Sequence, residues 1–79
     1  MKKLYEIIKA TTTVARRGGI KERDTFSFLI EKDFEDFEDK CFHGLTNAIN
    51  TYNYFCPEDF YIISYDIDTE IEKVGEIWL

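Results

Sequence analysis

The residues best equipped for chemistry crowd into one stretch of the chain. Positions 33–43 read DFEDFEDKCFH, so Asp33, Glu35, Asp36, Glu38 and Asp39 fall within seven positions, followed by Cys41 and the single histidine, His43. Such a set could ligate a metal, exchange protons or present negative charge. Cys41, His43 and Cys56 spell C-x-H-x12-C, whereas zinc needs three or four converging ligands, usually drawn from pairs such as C-x2-C. On a helix, positions two apart point about 200° apart. Cys41 and His43 therefore diverge, both as ligands and as a nucleophile–base pair. The acidic run also lacks the glycine and the closing glutamate of an EF-hand loop. A second acidic run, Asp66-Ile67-Asp68-Thr69-Glu70, alternates along a strand, where charge discourages edge pairing.

Other chemistries find less support. The chain has one histidine, no G-x-S-x-G, no phosphate-binding loop and no dinucleotide fingerprint. A hydrolytic site needs a nucleophile, a base and an oxyanion site held in a cleft, and a core this small leaves little room for one. The expectation is a protein without catalytic residues, cofactor or metal.

The elements that must position these residues can be read from periodicity. Leu4 to Ala15 is rich in β-branched residues and predicts a strand; Arg16-Arg17-Gly18-Gly19 predicts a turn. Asp24 to Glu31 restarts a strand, giving a hairpin with a charged tip over 16–23. Phe34, Phe37, Cys41, Leu45, Ala48, Tyr52 and Phe55 recur at helical spacing, with Asp33 as expected N-cap and Pro57 as stop. Gly44 leaves open a break into two helices. Phe60 to Ile67 predicts a strand, Glu72-Lys73-Val74-Gly75 a turn, and Glu76 to Leu79 a last strand. The expected fold is a single α+β domain over 1–79, ββαββ, with a four-stranded antiparallel sheet and one helix on one face.

Seventy-nine residues, 44% of them hydrophobic, suffice for one small core. No apolar run approaches the roughly 18–20 residues of a membrane span, and Glu6 interrupts any signal-peptide hydrophobic region. The expectation is a cytoplasmic protein with no membrane partner. Cys41 and Cys56, if on one helix, lie about 22 Å apart, too far for a disulfide, so reduced thiols are expected.

Charge is unevenly divided. Residues 1–23 hold seven basic and two acidic side chains, a net of +5, while residues 24–79 hold three basic and fourteen acidic, a net of −11. Such asymmetry speaks to partners. One reading gives the basic tip (Arg16, Arg17, Lys21 and Arg23) to nucleic acid, since a two-stranded ribbon can enter a major groove; the acidic body opposes this within a Debye length of about 8 Å. Another joins the tip of one copy to the acidic helix of a second, making a homodimer.

The third reading rests on the acidic helix. On a helical wheel Glu35, Asp36 and Asp39 fall opposite the apolar stripe and Glu38 at its margin. Solvated helix faces usually mix signs, because like charges at i, i+4 destabilise by about 0.2–0.5 kcal/mol. A one-signed row carries that cost and is expected to meet a basic surface, with Asp66 and Asp68 extending it. With DFEDFED and DIDTE on a short, acidic α+β chain, the sequence resembles the anti-CRISPR proteins, small phage-encoded inhibitors of bacterial defence. The resemblance implies a non-enzymatic inhibitor in the host cytoplasm. It would act as a DNA mimic on the basic, nucleic-acid-binding surface of a CRISPR effector.

Overall fold

The computed structural model describes residues 2–32, 36–66 and 68–79, the side chain of Asp59 excepted. Its framework is a long hairpin of β1 (Leu4–Arg16) and β2 (Lys21–Glu31), in register from Tyr5↔Glu31 to Ala15↔Lys21. The tip closes through Gly18 and Gly19 at φ 97° and 85°, a region that side-chain-bearing residues rarely adopt. Thirteen residues of β1 at about 3.4 Å each span about 44 Å, which matches the longest dimension of the molecule, 44 Å. Along β1, Glu6, Ile8, Ala10, Thr12, Val14 and Arg16 are buried, while the alternate residues are more open.

The second edge of β1 is shared by two strands. β4 (Glu70–Trp78) pairs antiparallel with Leu4 to Thr11, and β3 (Ile62–Tyr65) pairs antiparallel with Val14 to Arg16. The fold is thus ββαββ, a four-stranded antiparallel sheet with one helix packed on it. Because β3 and β4 run end to end along β1, the sheet is only three strands wide. A 3₁₀ turn over Glu58–Phe60 precedes β3 and shortens the strand expected from Phe60; Ile67 lies outside the described residues.

The turn expected at Glu72-Lys73-Val74-Gly75 is instead continuous strand. Ile7 pairs with Gly75 and Ile8 with Lys73, so Val74 is the extra residue of a bulge. A bulge absorbs one residue while the ladder continues, which is why a local turn signal misleads here.

Helix α1 (Phe37–Phe55) runs unbroken through Gly44. A Cβ at Gly44 would stand 2.5 Å from Phe28 Cδ2 and closer still to Cε2, so this glycine lets the helix approach the sheet. Leu45 and Ile49 pack with Ala10, Val14 and Ile62, and Cys41 packs with Ile8 and Ile30. The buried stripe is Cys41, Leu45 and Ile49, not the longer row expected. Phe55 is 77% exposed and Phe37 46% exposed, because the helix overruns the core at both ends. Phe34 and the expected cap Asp33 lie outside the described residues. The N-cap is Asp36, in the left-handed region at φ 53° with no side-chain capping bond; aspartate tolerates that conformation better than most residues. At the far end, Asn53 donates from Nδ2 to Ile62 O and accepts from Ile62 N, both at 2.8 Å. Its amide thus stands in for a strand partner.

Candidate functional site

The charge asymmetry of the sequence is largely cancelled in three dimensions. Lys3 pairs with Glu31, Arg17 with Glu58, Arg23 with Asp68 and Glu70, and Lys32 with Glu76. Lys73 bridges Glu76 at 2.5 Å and the largely buried Glu6 at 3.4 Å. Two hydrogen-bonding lysines, Lys32 and then Lys73, hold the Glu76 carboxyl down at about 2.

Arg16 is the centre of the largest of these networks. It is only 6% exposed, its position on the helix-facing parity of β1 carrying it under α1. Nε bonds Glu22 at 3.1 Å, Nη2 pairs with Asp24, and Nη1 donates to Tyr52 Oη at 2.8 Å and to Phe60 O at 2.5 Å. The guanidinium also lies 5.3 Å from the Tyr52 ring centroid. Burial opposes its charge, but the bonds it donates to Tyr52 and Glu22 and the Asp24 charge outweigh it and raise its pKa. Arg16 therefore ties the hairpin tip to the helix and to the 58–60 turn.

The four residues of the basic tip consequently do not form an open basic patch. Arg16 is buried, Arg17 pairs with Glu58 and stacks on Tyr61, and Arg23 is held by Asp68 and Glu70. Lys21 is exposed and, among the described residues, has no ion pair.

The acidic candidates separate into two groups. Asp36, Glu38 and Asp39 are exposed at the start of α1 and, among the described residues, form no ion pair; Glu35 lies outside the described residues. This end of α1 sits over the Ile8–Ile30 end of the hairpin, as the Cys41 packing shows. Asp66 and Asp68 flank Thr12 and Thr13, toward the hairpin tip. Asp68 accepts from Thr13 Oγ1 at 3.0 Å and Arg23 Nη1 at 2.9 Å. Burial works against its charge, and these partners outweigh it to lower its pKa. Asp68 is thus internally engaged, while Asp66 is exposed and uses its backbone in the β3–β4 junction.

Cys41 is fully buried and His43 exposed, as helical geometry requires. Burial, reinforced by Glu6 and Glu38, pushes the Cys41 thiol up, away from the reactive thiolate. Both cysteines are free. Among the described residues no three of His, Cys, Asp and Glu converge on a metal position, and no helix is long and apolar enough to cross a membrane.

Two features escaped the sequence reading. One is an apolar cleft of about 330 Å³ between Tyr52, Phe55, Pro57 and Phe60, beside the exposed pair Tyr54 and Phe55. The other is the outer edge of β2, flanked by grooves of about 270 and 490 Å³ against α1. The uncharged run TFSFLI at 25–30 was the available signal. Its edge position becomes visible only once β3 and β4 are known to share the other side of β1. Comparison with protein-family models, with curated proteins and with solved structures finds no match to the chain.

Proposed function

We propose that the chain is a non-enzymatic protein-binding module that seats the acidic start of α1 on a basic surface of its partner. The carrying observation is the pattern of internal pairing. Eight carboxylates (Glu6, Glu22, Asp24, Glu31, Glu58, Asp68, Glu70 and Glu76) are engaged by the chain's own cations, while Asp36, Glu38 and Asp39 remain together in solvent. Asp36 holds the N-cap position without capping through its side chain, which leaves that carboxylate available as well. Clustered like charge of this kind raises association rates with an oppositely charged cleft.

The partner we infer is a nucleic-acid-binding defence effector of the CRISPR type, whose basic channel would accept carboxylates in place of phosphates. Asp68 drops out of the contact set, because Arg23 already holds it; Asp66 is a peripheral member. The test is target-DNA binding by guide-loaded CRISPR effectors, followed by gel shift as the protein is titrated in. Wild type is expected to displace the DNA, and Asp36→Lys with Asp39→Lys is expected to lose that effect while its melting temperature stays within a few degrees. An undiminished effect in the double reversal would remove the acidic helix from the mechanism. Failure of wild type against every effector would remove the effector assignment.

A further inference from the structure

The outer edge of β2 carries an inference that does not depend on the acidic helix. With β3 and β4 on the far side of β1, β2 is an uninterrupted edge from Lys21 to Glu31, in continuous register with β1. Its outward groups can be assigned. Arg16 N bonds Ile20 O and Lys32 N bonds Leu4 O, so the even-numbered residues of β2 face β1. Antiparallel alternation then turns the N–H and C=O of Arg23, Thr25, Ser27, Leu29 and Glu31 outward. Edges are ordinarily blunted by proline, bulges or central charge; residues 25–30 (TFSFLI) have none of these. α1 packs on the face of β2, with Gly44 against Phe28, but among the described residues it makes no hydrogen bond to the outward backbone groups of this edge.

The same edge is complementary to itself. Paired antiparallel about Ser27, it sets Arg23 opposite Glu31 of a second copy and Glu22 opposite Lys32. Thr25 then meets Leu29, Phe26 meets Phe28, and Asp24 meets Ile30. Neighbouring registers do worse among the described residues. Centred on Phe26, only Lys21 meets Glu31, and Glu22 as well as Asp24 is set against an apolar residue, Ile30 and Phe28 respectively. Centred on Phe28, only Asp24 meets Lys32, and Glu31 is set against Thr25. All four charges have internal partners: Arg23 pairs with Asp68 and Glu70, Glu31 with Lys3, and Lys32 with Glu76, all partly open to solvent, while Glu22, 53% exposed, bonds the buried Arg16 through Oε2. Exposed pairs exchange partners at little cost.

We propose that β2 pairs with β2 of a second copy, antiparallel about Ser27, making one continuous sheet with both α1 helices on the same face. Ser27 is exposed and its outward N–H serves no bond to β1, so substitution there perturbs the pairing and spares the monomer. The experiment is light scattering of the full chain from micromolar to millimolar concentration. Wild type is expected at twice 9.4 kDa. Ser27→Glu and Ser27→Lys each place like charges against each other about 5.5 Å apart across the axis and are expected at the monomer mass. An equimolar mixture of the two is expected to recover the dimer mass as a heterodimer. Circular dichroism melts confirm that each variant folds; should either fail to fold, Arg23→Glu with Glu31→Arg, which preserves the cross-axis pair, is expected to remain dimeric while Arg23→Glu alone is not. A wild type that stays monomeric at millimolar concentration overturns the proposal, as does a Ser27→Glu chain that dimerises like wild type.

Discussion

Truncation of Arg16 to alanine tests whether the hairpin tip is a binding surface or a structural clasp. The substitution removes a guanidinium that is 6% exposed and bonded to Glu22, Asp24, Tyr52 and Phe60. Breaking a buried charged network by deleting one partner costs about 3–5 kcal/mol. The lower end applies here, because Glu22 and Asp24 remain 53% and 30% exposed and regain water once the arginine is gone. What stays unsolvated is the Tyr52 hydroxyl, the Phe60 carbonyl and the space vacated beneath α1, for a net loss of about 3 kcal/mol. For a domain of this size each kcal/mol lowers the melting temperature by about 4–8 °C, so the midpoint should fall by about 12–24 °C. Thermal and urea denaturation followed by circular dichroism measure it. Lys21→Ala, at an exposed tip residue, should melt within a few degrees of wild type. An Arg16→Ala chain that melts like Lys21→Ala would refute the clasp and return Arg16 to the surface.

Two further perturbations address the packing and the charge network. Gly44→Ala should gain about 1 kcal/mol of helix propensity, yet the new methyl overlaps the Phe28 ring, and overpacking costs about 1–3 kcal/mol. The net expectation is a melting point lower by several degrees, with the penalty relieved in a Phe28→Leu background; a stabilised Gly44→Ala would show that the helix rides higher above the sheet. For Glu76, Lys32 and Lys73 hold the folded-state pKa at about 2 against a usual 4.5. A depressed carboxylate contributes stability above its unfolded value and loses it as pH falls toward the folded one. Acid titration of stability should therefore show part of its decline between about pH 4.5 and 2, and Glu76→Gln should flatten that part; an unchanged acid limb in the variant would dissociate Glu76 from it.

Local signals and long-range ones differed in how well the sequence displayed them. The β1–β2 hairpin was legible because paired glycines and two β-branched or aromatic runs act within a few residues of each other. Helix α1 was legible from its spacing, but its ends were not. Phe37 and Phe55 have core-forming side chains, and only the extent of the sheet beneath decides whether they are covered. Pairing partners were the least legible quantity. Arg23 with Asp68 and Arg17 with Glu58 join residues 45 and 41 positions apart. A net charge of +5 at one end of the chain therefore read as a basic surface, although folding neutralises most of it. Among the described residues, the long-range ion pairs of the sheet do not reach Asp36, Glu38 or Asp39, nor Asp66 and Glu72, and only the first three lie close together in the chain.

The two proposed surfaces share one stretch of chain, since β2 ends at Glu31 and α1 starts at Phe37. In the dimer centred on Ser27, Glu31 of one copy lies opposite Arg23 of the other. The two Glu31 positions are then separated by eight residues of strand, about 27 Å. Each copy thus carries its acidic helix start to an opposite end of the joined edge, with both on one face of the sheet. A partner with a long basic channel would meet two such starts at once, and the second contact would be intramolecular, with an effective concentration set by a rigid span rather than by a linker. The perturbations then separate cleanly. Ser27→Glu leaves one intact acidic start per molecule and loses only the avidity of the pair. Asp36→Lys with Asp39→Lys leaves the dimer intact and removes the charge at both ends, so its loss of partner binding should be the deeper of the two.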